Sequence, residues 1–411
     1  MTLTTISKDE FTSFANTVSH RSFIQSVEMA DLLERRGNTV QLIAWKQNDQ
    51  VQVAAILYSQ PMTGGLHMEI NSGPLYQNEA MLQPFYAAVK DYAKENGAME
   101  LVIKPYDTYQ TFDSDGNPTT EEQTHFMDTL TNLGYQHDGL TTGYPGGEPD
   151  WHYVKDMDGI TEKNLLNSFS KKGKPLVKRA KSFGIQLKQL NRDELYIFKE
   201  ITSSTSDRRD YQDKTLDYYQ NFYDSFGDKV DFMIATLNFE LYLSNLQEKW
   251  KDLQSQLDPL IEKISEGINS AKINKLKAQL DKQMNTLSVR MDEAKEYIEK
   301  YGNQDVILAG SLFVYMPQES TYLFSGSYTE FNKFYAPAVL QEYMMLETIK
   351  RGIPRYNFLG IQGIFDGSDG VLRFKQNFNG YIVRKMGTFR YYPRPLKHKV
   401  ISLIKRLLGR S

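Results

Sequence analysis

The chain contains no cysteine and no long apolar run. Because none of its 411 residues is Cys, disulfides, thiolate zinc sites and cysteine nucleophiles are excluded. No apolar stretch approaches the roughly 20 residues that a membrane-spanning helix needs, and the segment 1–10 lacks the apolar core of a signal peptide. We therefore expect a protein of the reducing cytoplasm.

Motifs of the common enzyme classes are also missing. The histidines show no metal-ligand spacing such as His-Glu-x-x-His, and there is neither a Walker loop nor a Gly-x-Ser-x-Gly nucleophile elbow. Classical hydrolase, kinase and dehydrogenase functions thus have no support. If the chain is an enzyme, it must act by binding, positioning and charge.

The chain does contain abundant core-forming residues and an uneven distribution of charge. It has 26 Tyr and 22 Phe, and 40% of its residues are hydrophobic, enough for one large core or two ordinary ones. The net charge is −3, but residues 381–411 contain nine Lys or Arg and no acid, which leaves −12 for the rest. A second acid-free stretch, 169–190, contains seven cations. Concentrated basic charge is typical of phosphate-rich partners, although solvated helix faces give the same pattern.

The pattern predicts an α/β protein interrupted by a helical hairpin. Residues 1–150 show mixed α/β patterning that ends in a Gly/Pro-rich connector. Two heptad-spaced runs, 239–264 and 273–301, predict antiparallel coiled-coil helices, with a kink at Pro259 and a stop at Gly302. The expected segments are 1–150 for a first α/β unit, 151–238 with 303–395 for a second, 239–302 for the hairpin and 396–411 for a C-terminal helix.

The C-terminal segment has the pattern of a basic amphipathic helix. Between Leu396 and Leu408 the apolar residues fall on one stripe at helical spacing, with Lys and Arg around it. Such a helix can lie in an anionic membrane interface. The alternative is a helix that docks its stripe on the protein.

Eight segments along the chain form a familiar set. They are Ser72–Pro74, Lys104–Tyr106, Lys178–Lys181, Tyr322–Ser327, Phe334–Glu342, Tyr356–Ile361, Phe365–Gly370 and Val371–Lys375. In this order, and with the inserted hairpin, they resemble the FemABX family of tRNA-dependent peptidyl transferases over essentially the whole chain. The resemblance implies two acetyltransferase-like (GNAT) subdomains with a cleft, plus a coiled-coil arm like that of seryl-tRNA synthetase.

The resemblance also implies an activity. An aminoacyl-tRNA donates its amino acid, alanine by preference or else serine, to the stem-peptide lysine branch of a lipid-linked peptidoglycan precursor, which builds the interpeptide bridge. The ester is already activated, so we expect no cofactor and no metal. The enzyme is expected in the cytoplasm, peripheral at the inner face of the plasma membrane, with the C-terminal tail on the anionic surface.

Site residues follow from the same resemblance. Phe374 and Lys375 match the family site that meets the aminoacyl end of the tRNA, where Lys375 stabilises the oxyanion or holds the terminal phosphate. Without the resemblance, Phe374 would be read as a strand residue of the core and Lys375 as an ordinary surface lysine.

On the acceptor side, Lys214 stands before a Tyr-Tyr pair where the family contacts the precursor's phosphates. A second phosphate-binding lysine of relatives falls at Leu33, so Arg35 or Arg36 is expected to substitute. Lys104 occupies a position where many members have aspartate, which argues against a carboxylate base there. The further substrate-binding candidates are Tyr219, Tyr322 and Phe324.

Two other functions fit the same pattern. One is a non-catalytic, acetyltransferase-like protein that binds tRNA without transferring anything. The other is a leucyl/phenylalanyl-type transferase acting on protein N-termini, against which the basic, membrane-suited tail argues.

Overall fold

The computed structural model describes residues 2–145, 148–209, 211–268 and 270–407. The helices are α1 Lys8–Ala15, α2 Val27–Arg35, α3 Leu82–Glu95, α4 His125–Asn132, α5 Gly173–Lys181, α6 Leu195–Arg209, α7 Leu216–Phe226, α8 Phe239–Ser265, α9 Ala271–Tyr301, α10 Ala336–Lys350, α11 Gly370–Lys375 and α12 Pro395–Leu407. The strands are β1 Thr2–Thr5, β2 Thr39–Gln47, β3 Gln50–Met62, β4 Gly65–Asn71, β5 Leu75–Tyr76, β6 Ala98–Lys104, β7 Thr108–Phe112, β8 Gln136–His137, β9 Trp151–Asp156, β10 Gln186–Gln189, β11 Val230–Asn238, β12 Asp305–Tyr315, β13 Ser320–Ser327, β14 Arg355–Ile361, β15 Tyr381–Lys385 and β16 Phe389–Tyr391.

The strands form two mixed sheets, which confirms the α/β class. The first runs β1-β2-β3-β4-β6-β16-β8, with β5 paired to β3, and the second runs β10-β11-β12-β13-β14-β9-β15-β7. β2 and β3 form a β-hairpin that turns at Asn48 and Asp49, both with positive φ (50° and 61°). Two consecutive left-handed residues are the signature of the turn that matches the twist of a hairpin.

The sequence predicted a boundary between two α/β units at residue 150, but the two sheets do not divide there. β7 lies within 1–150 but pairs with β15 at the end of the second sheet. β16 lies within 303–395 but inserts between β6 and β8 of the first sheet. Each half thus supplies a strand to the other, a long-range pairing that local patterning does not reveal.

The two halves also share a hydrophobic core. Leu33 and Leu42 of the first half belong to the same buried cluster as Phe198, Phe232 and Leu312 of the second. Because apolar burial contributes about 25 cal/mol per Å², this shared cluster stabilises the halves against each other. The cleft between the two halves is therefore bordered by helices and strands that pack on this shared cluster.

α8 and α9 form the predicted antiparallel hairpin. Phe239 at the start of α8 stacks on Tyr297 near the end of α9, with ring centroids 4.4 Å apart. Farther out, Leu257 packs with Leu280 in a small cluster of its own. α8 continues past Pro259 to Ser265. The base of the hairpin belongs to the large buried cluster that also contains Tyr153 and Phe313, called here the main core, whereas its distal part does not.

The C-terminal segment is helical, as predicted, over the part that the structure describes. α12 docks on the β3–β4 turn: Lys397 Nζ donates to the carbonyl of Gly64 (2.8 Å), and Ile401 lies directly against that glycine. No helix within the described ranges is long and apolar enough to cross a membrane. Residues 408–411 of the predicted tail lie outside the described residues.

Candidate functional site

A cavity of about 680 Å³ lies between the two halves. It is lined by the parts of β13 and β14 that lie beyond their short parallel pairing, which is limited to Ser320–Thr321 and Tyr356–Asn357. Past this point both strands continue without pairing each other. The separation of two neighbouring strands leaves backbone and side chains of both available to a ligand.

One wall of the cavity contains a buried lysine. Lys375, the last residue of α11, is only 3% exposed, and its Nζ donates to the carbonyls of Leu359 (3.0 Å) and Gly360 (2.6 Å). Leu359 has a φ of +55°, a left-handed conformation uncommon outside glycine. At this point the pairing of β14 with β9 shifts register, so these carbonyls are available to the amine. Lys375, Phe374 and the two carbonyls are called here the buried-lysine cluster.

A carboxylate cap positions this cluster. Asp369 Oδ1 accepts the amides of Val371 (2.8 Å) and Leu372 (3.2 Å), and its Oδ2 accepts the amide of Gln362 (2.9 Å). The cap starts α11 and ties it to the end of β14. The alternative read from the residues alone is corrected in two respects: Phe374 is helical rather than in a strand, although it does pack against the core, and Lys375 is buried rather than at the surface. Both residues line the cavity.

Burial lowers the pKa of Lys375 to about 7, and the attraction of Asp369 offsets this only in part. Desolvation penalises the ammonium form, and the two carbonyl acceptors do not remove that penalty. Neutral and protonated amine therefore coexist near neutral pH. Such a group can stabilise a developing negative charge and can exchange a proton.

Another part of the cavity contains several cationic side chains. The guanidinium of Arg36 and the Nζ of Lys214 lie 5.4 and 5.5 Å from the ring centroid of Tyr218. Arg208 and Arg209, at the end of α6, line the same cavity. Among the described residues, none of these four cations forms an ion pair with a carboxylate. Arg36, Lys214 and Tyr218 are called here the cation cluster.

The structure distinguishes between the two arginines proposed from the sequence. Arg36 lies just past the end of α2 and lines the cavity, whereas Arg35 lies 4.0 Å from Asp224 and does not. Lys104 is also outside the lining. Its Nζ pairs with Glu69 (3.0 Å) and Glu148 (2.8 Å), and of these only Glu148 borders the cavity.

Tyr219 is buried and does not line the cavity, unlike the neighbouring candidates. Its hydroxyl donates to Asp213 Oδ1 (2.9 Å), which also accepts the amide of Lys214 (2.8 Å). Tyr219 therefore holds the segment that carries Lys214. Tyr322 and Phe324 do line the cavity, and Phe324 packs edge-on against Tyr218 with centroids 6.2 Å apart.

A buried polar network beside the cavity was not predicted from the sequence. Tyr106 donates to Glu319 Oε1 (2.7 Å), which also accepts from Asn357 (3.0 Å). The Nζ of Lys385 lies 3.5 Å from the Tyr106 ring centroid and donates to its carbonyl (2.8 Å). These partners are more than 200 residues apart in several cases, so no local signal identifies them. Asp369 was not singled out from the sequence either, although an aspartate directly before a Gly and an apolar run is a pattern of helix starts.

Comparison with known proteins agrees with this architecture. The family model described as "FemAB family" matches residues 6–406. The aminoacyltransferase FemA of Staphylococcus aureus (strain NCTC 8325 / PS 47) is 28% identical over 398 residues, which cover 95% of this chain and 94% of that relative.

Two solved structures share the fold. The crystal structure of FemX superposes with a TM-score of 0.76 at 20% identity, covering 96% of this chain and 98% of the other. A tandem GNAT protein from the clavulanic acid biosynthesis pathway superposes with a TM-score of 0.50 at 8% identity, covering 95% and 98%. At these identities the likeness concerns the fold, two acetyltransferase-like units in tandem.

Proposed function

The chain belongs to the FemAB family and is an aminoacyltransferase, and on this premise we propose that it transfers an amino acid from charged tRNA to an amine of a lipid-linked peptidoglycan precursor. One observation carries the proposal: a single cavity holds both the buried-lysine cluster and the cation cluster. The first suits a reacting ester and the second suits a phosphate-bearing acceptor. The transfer contributes to the peptidoglycan cross-bridge.

The buried-lysine cluster supports the chemistry of the donor. The acceptor amine attacks the ester carbonyl, a C–N bond forms, and the C–O bond to the ribose breaks. The amine loses a proton and the ribose oxygen gains one. The tetrahedral intermediate carries an oxyanion, which the protonated amine of Lys375 stabilises at short range in a site shielded from water. Phe374, beside it on the cavity wall, offers a face for the terminal base.

The cation cluster supports binding of the acceptor. A pyrophosphate link is a stable anion, and Arg36 and Lys214 present charge to it without an ion pair to any carboxylate in the described part of the chain. Arg favours two-pronged hydrogen bonding to phosphate oxygens, whereas Lys supplies a point charge. Tyr322 and Phe324 extend the wall toward the peptide.

Within the family, we place the chain with the streptococcal branch-forming transferases MurM and MurN, and favour MurN. The proposed acceptor is the lysine branch of the stem peptide, and alanine is favoured over serine. The deciding experiment supplies purified protein with Ala-tRNA or Ser-tRNA and with lipid-linked precursor, either bare or already singly extended. Product masses identify the amino acid and the position.

The same experiment separates the two other functions. Binding of charged tRNA without any product would support a non-catalytic protein. Transfer to a peptide with a basic N-terminal residue, but to neither precursor, would support a protein N-terminal transferase. Either result rejects the proposed function.

We propose that the coiled-coil arm, predicted from the sequence as residues 239–302, binds the tRNA. Its distal part has its own small core around Leu257 and Leu280, whereas Phe239 packs into the main core. Replacing residues 251–283 by a short turn therefore preserves the base. We expect a folded protein with sharply reduced transfer from intact charged tRNA, and undiminished transfer would reject the role.

The tail is proposed to hold the enzyme at an anionic membrane surface. α12 docks through Ile401 yet exposes Leu396 (79%), Val400, Leu403 and Ile404. α12 therefore docks on the protein and still has an exposed apolar stripe. Removal of residues 396–411 is expected to abolish flotation with anionic vesicles at low salt while sparing transfer to a soluble acceptor analogue. Absence of flotation by the full-length protein would make the tail structural only.

A further inference from the structure

A basic surface lies beside the buried-lysine cluster, in the stretch 169–190 whose sequence contains no acid. It consists of the exposed residues Lys171, Lys172, Lys178 and Arg179 on and just before α5, and is called here the α5 surface. We propose that it binds the backbone phosphates of the donor RNA's acceptor stem. The proposal rests on the proposed function, because it concerns how the same donor approaches Lys375.

The start of α5 is tied to the end of α11. Gly173 packs so closely on the carbonyl of Asn377 that an added Cβ would lie 1.7 Å from that oxygen. The amide of Ser170 donates to the same carbonyl (3.0 Å), and Asn377 Nδ2 donates back to the carbonyl of Phe374 (3.0 Å). Only glycine fits at 173, and the α5 surface therefore has a fixed position relative to Lys375.

The far end of α5 reaches another element of the cavity. Arg179 lies over the ring of Tyr335, 5.5 Å from its centroid. Tyr335 immediately precedes α10, and Pro337 at the start of α10 lines the cavity. The α5 surface is thus connected to the cavity wall at both ends, through Asn377 and through Tyr335.

The charges of the α5 surface are not neutralised within the described part of the chain. Lys181 pairs with Glu342 (3.0 Å) and Lys188 pairs with Glu194, so these two of the seven cations in 169–190 are already satisfied. The four residues of the α5 surface form no ion pair within the described ranges. Like charges kept together without counterions favour a polyanion as partner.

The position of the α5 surface suits the acceptor stem of the donor RNA. The ester must reach Lys375, so the RNA stem that carries it emerges near the cavity wall. Double-helical RNA is recognised mainly through its backbone and shape, which lysines and arginines on one surface can contact without reading sequence. The distal arm is a separate surface, whereas α5 lies next to the buried-lysine cluster, which meets the aminoacyl end of the RNA.

The test replaces all four cations by glutamine (K171Q, K172Q, K178Q, R179Q) in the full chain. The probe is a charged RNA minihelix with the acceptor stem and single-stranded 3′ end, used with a soluble acceptor. We expect the KM for the minihelix to rise at least tenfold at about 0.1 M salt, with kcat at saturation within twofold of the parent. The slope of log KM against log salt should decrease by about 3, since each phosphate contact contributes about 0.7–0.9.

The matched control removes four cations elsewhere that pair locally or are exposed (K8Q, K94Q, R192Q, K350Q) and has the same net charge. It should retain the parent's KM and salt slope. Equal behaviour of the two variants would overturn the proposal.

Binding of uncharged minihelix, measured by fluorescence anisotropy, separates this proposal from the proposed function. If the parent transfers nothing but binds RNA through the four cations, the α5 surface stands and the transferase role fails. If the quadruple variant loses flotation with anionic vesicles but keeps its affinity for RNA, the surface binds lipid and the proposal is wrong.

Discussion

The two charged clusters of the cavity differ in how they hold positive charge. The cation cluster sets Arg36 and Lys214 against an aromatic ring, facing the cavity. The buried-lysine cluster sets one amine against two carbonyls under nearly complete burial, and its pKa falls to about 7. Cationic side chains that face the cavity suit a stable anion such as a phosphate. A titrating amine suits a charge that exists only during reaction.

Replacing Lys375 by methionine tests the comparison most severely. Loss of a preorganised donor to an oxyanion lowers the rate of the chemical step by about 10²–10³-fold. Single-turnover rates with both substrates saturating measure it. Lys155→Met is the matched control, because Lys155 is also buried and donates to the carbonyls of Ser168 and Asn379 but does not line the cavity. Equal losses in the two variants would remove the special role of Lys375.

Removing the cation cluster is expected to have the next largest effect. Arg36→Ala and Lys214→Ala should each raise the KM for the lipid-linked acceptor by about 10–100-fold, since a hydrogen bond to a charged group contributes about 1.5–3 kcal/mol. The single-turnover rate at saturation should change little. Arg35→Ala, one residue away but paired with Asp224 outside the cavity, should behave like the parent. A KM effect of Arg35→Ala as large as that of Arg36→Ala would contradict the assignment.

Titration of Lys375 is expected to appear in the pH dependence of stability. Its pKa is about 7 in the folded state and 10.5 when unfolded, so the unfolded chain binds more protons between these values. The free energy of unfolding therefore gains up to about 1.4 kcal/mol per pH unit from this group as pH rises from 7 toward 10. Lys375→Met should lose that increment in urea unfolding. In Lys155→Met the corresponding loss of stability should begin only above about pH 8. If the free energy of unfolding varied with pH equally in the parent and in Lys375→Met, burial would not have lowered the pKa of Lys375.

The smallest effect is expected for Tyr219→Phe. The change removes the hydroxyl that donates to Asp213 and leaves the ring in place. We expect a stability loss of about 0.5–1.5 kcal/mol and a rise in acceptor KM smaller than that of Lys214→Ala. Thermal unfolding and acceptor titration measure the two. An acceptor effect exceeding that of Lys214→Ala would indicate direct contact with the substrate.

Local spacing predicted the elements whose contacts are local. The heptad spacing predicted α8 and α9. Local spacing could not predict which of Arg35 and Arg36 lines the cavity, because the helix ends between them. The burial of Lys375 depends on the left-handed backbone at Leu359 and on the separation of β13 from β14. Only the resemblance to a family singled out this lysine, and only the fold gave its environment.

The insertion of β16 between β6 and β8 also has a consequence for biosynthesis. Arg390 of β16 binds the carboxylate of Asp138, 252 residues earlier in the chain. On the ribosome, β6 therefore keeps an open edge until the whole second half has been translated. Open strand edges of incomplete chains are sites of aggregation. The first half of this protein is thus made early but completed late, and its nascent chain has to be kept from self-association in the interval.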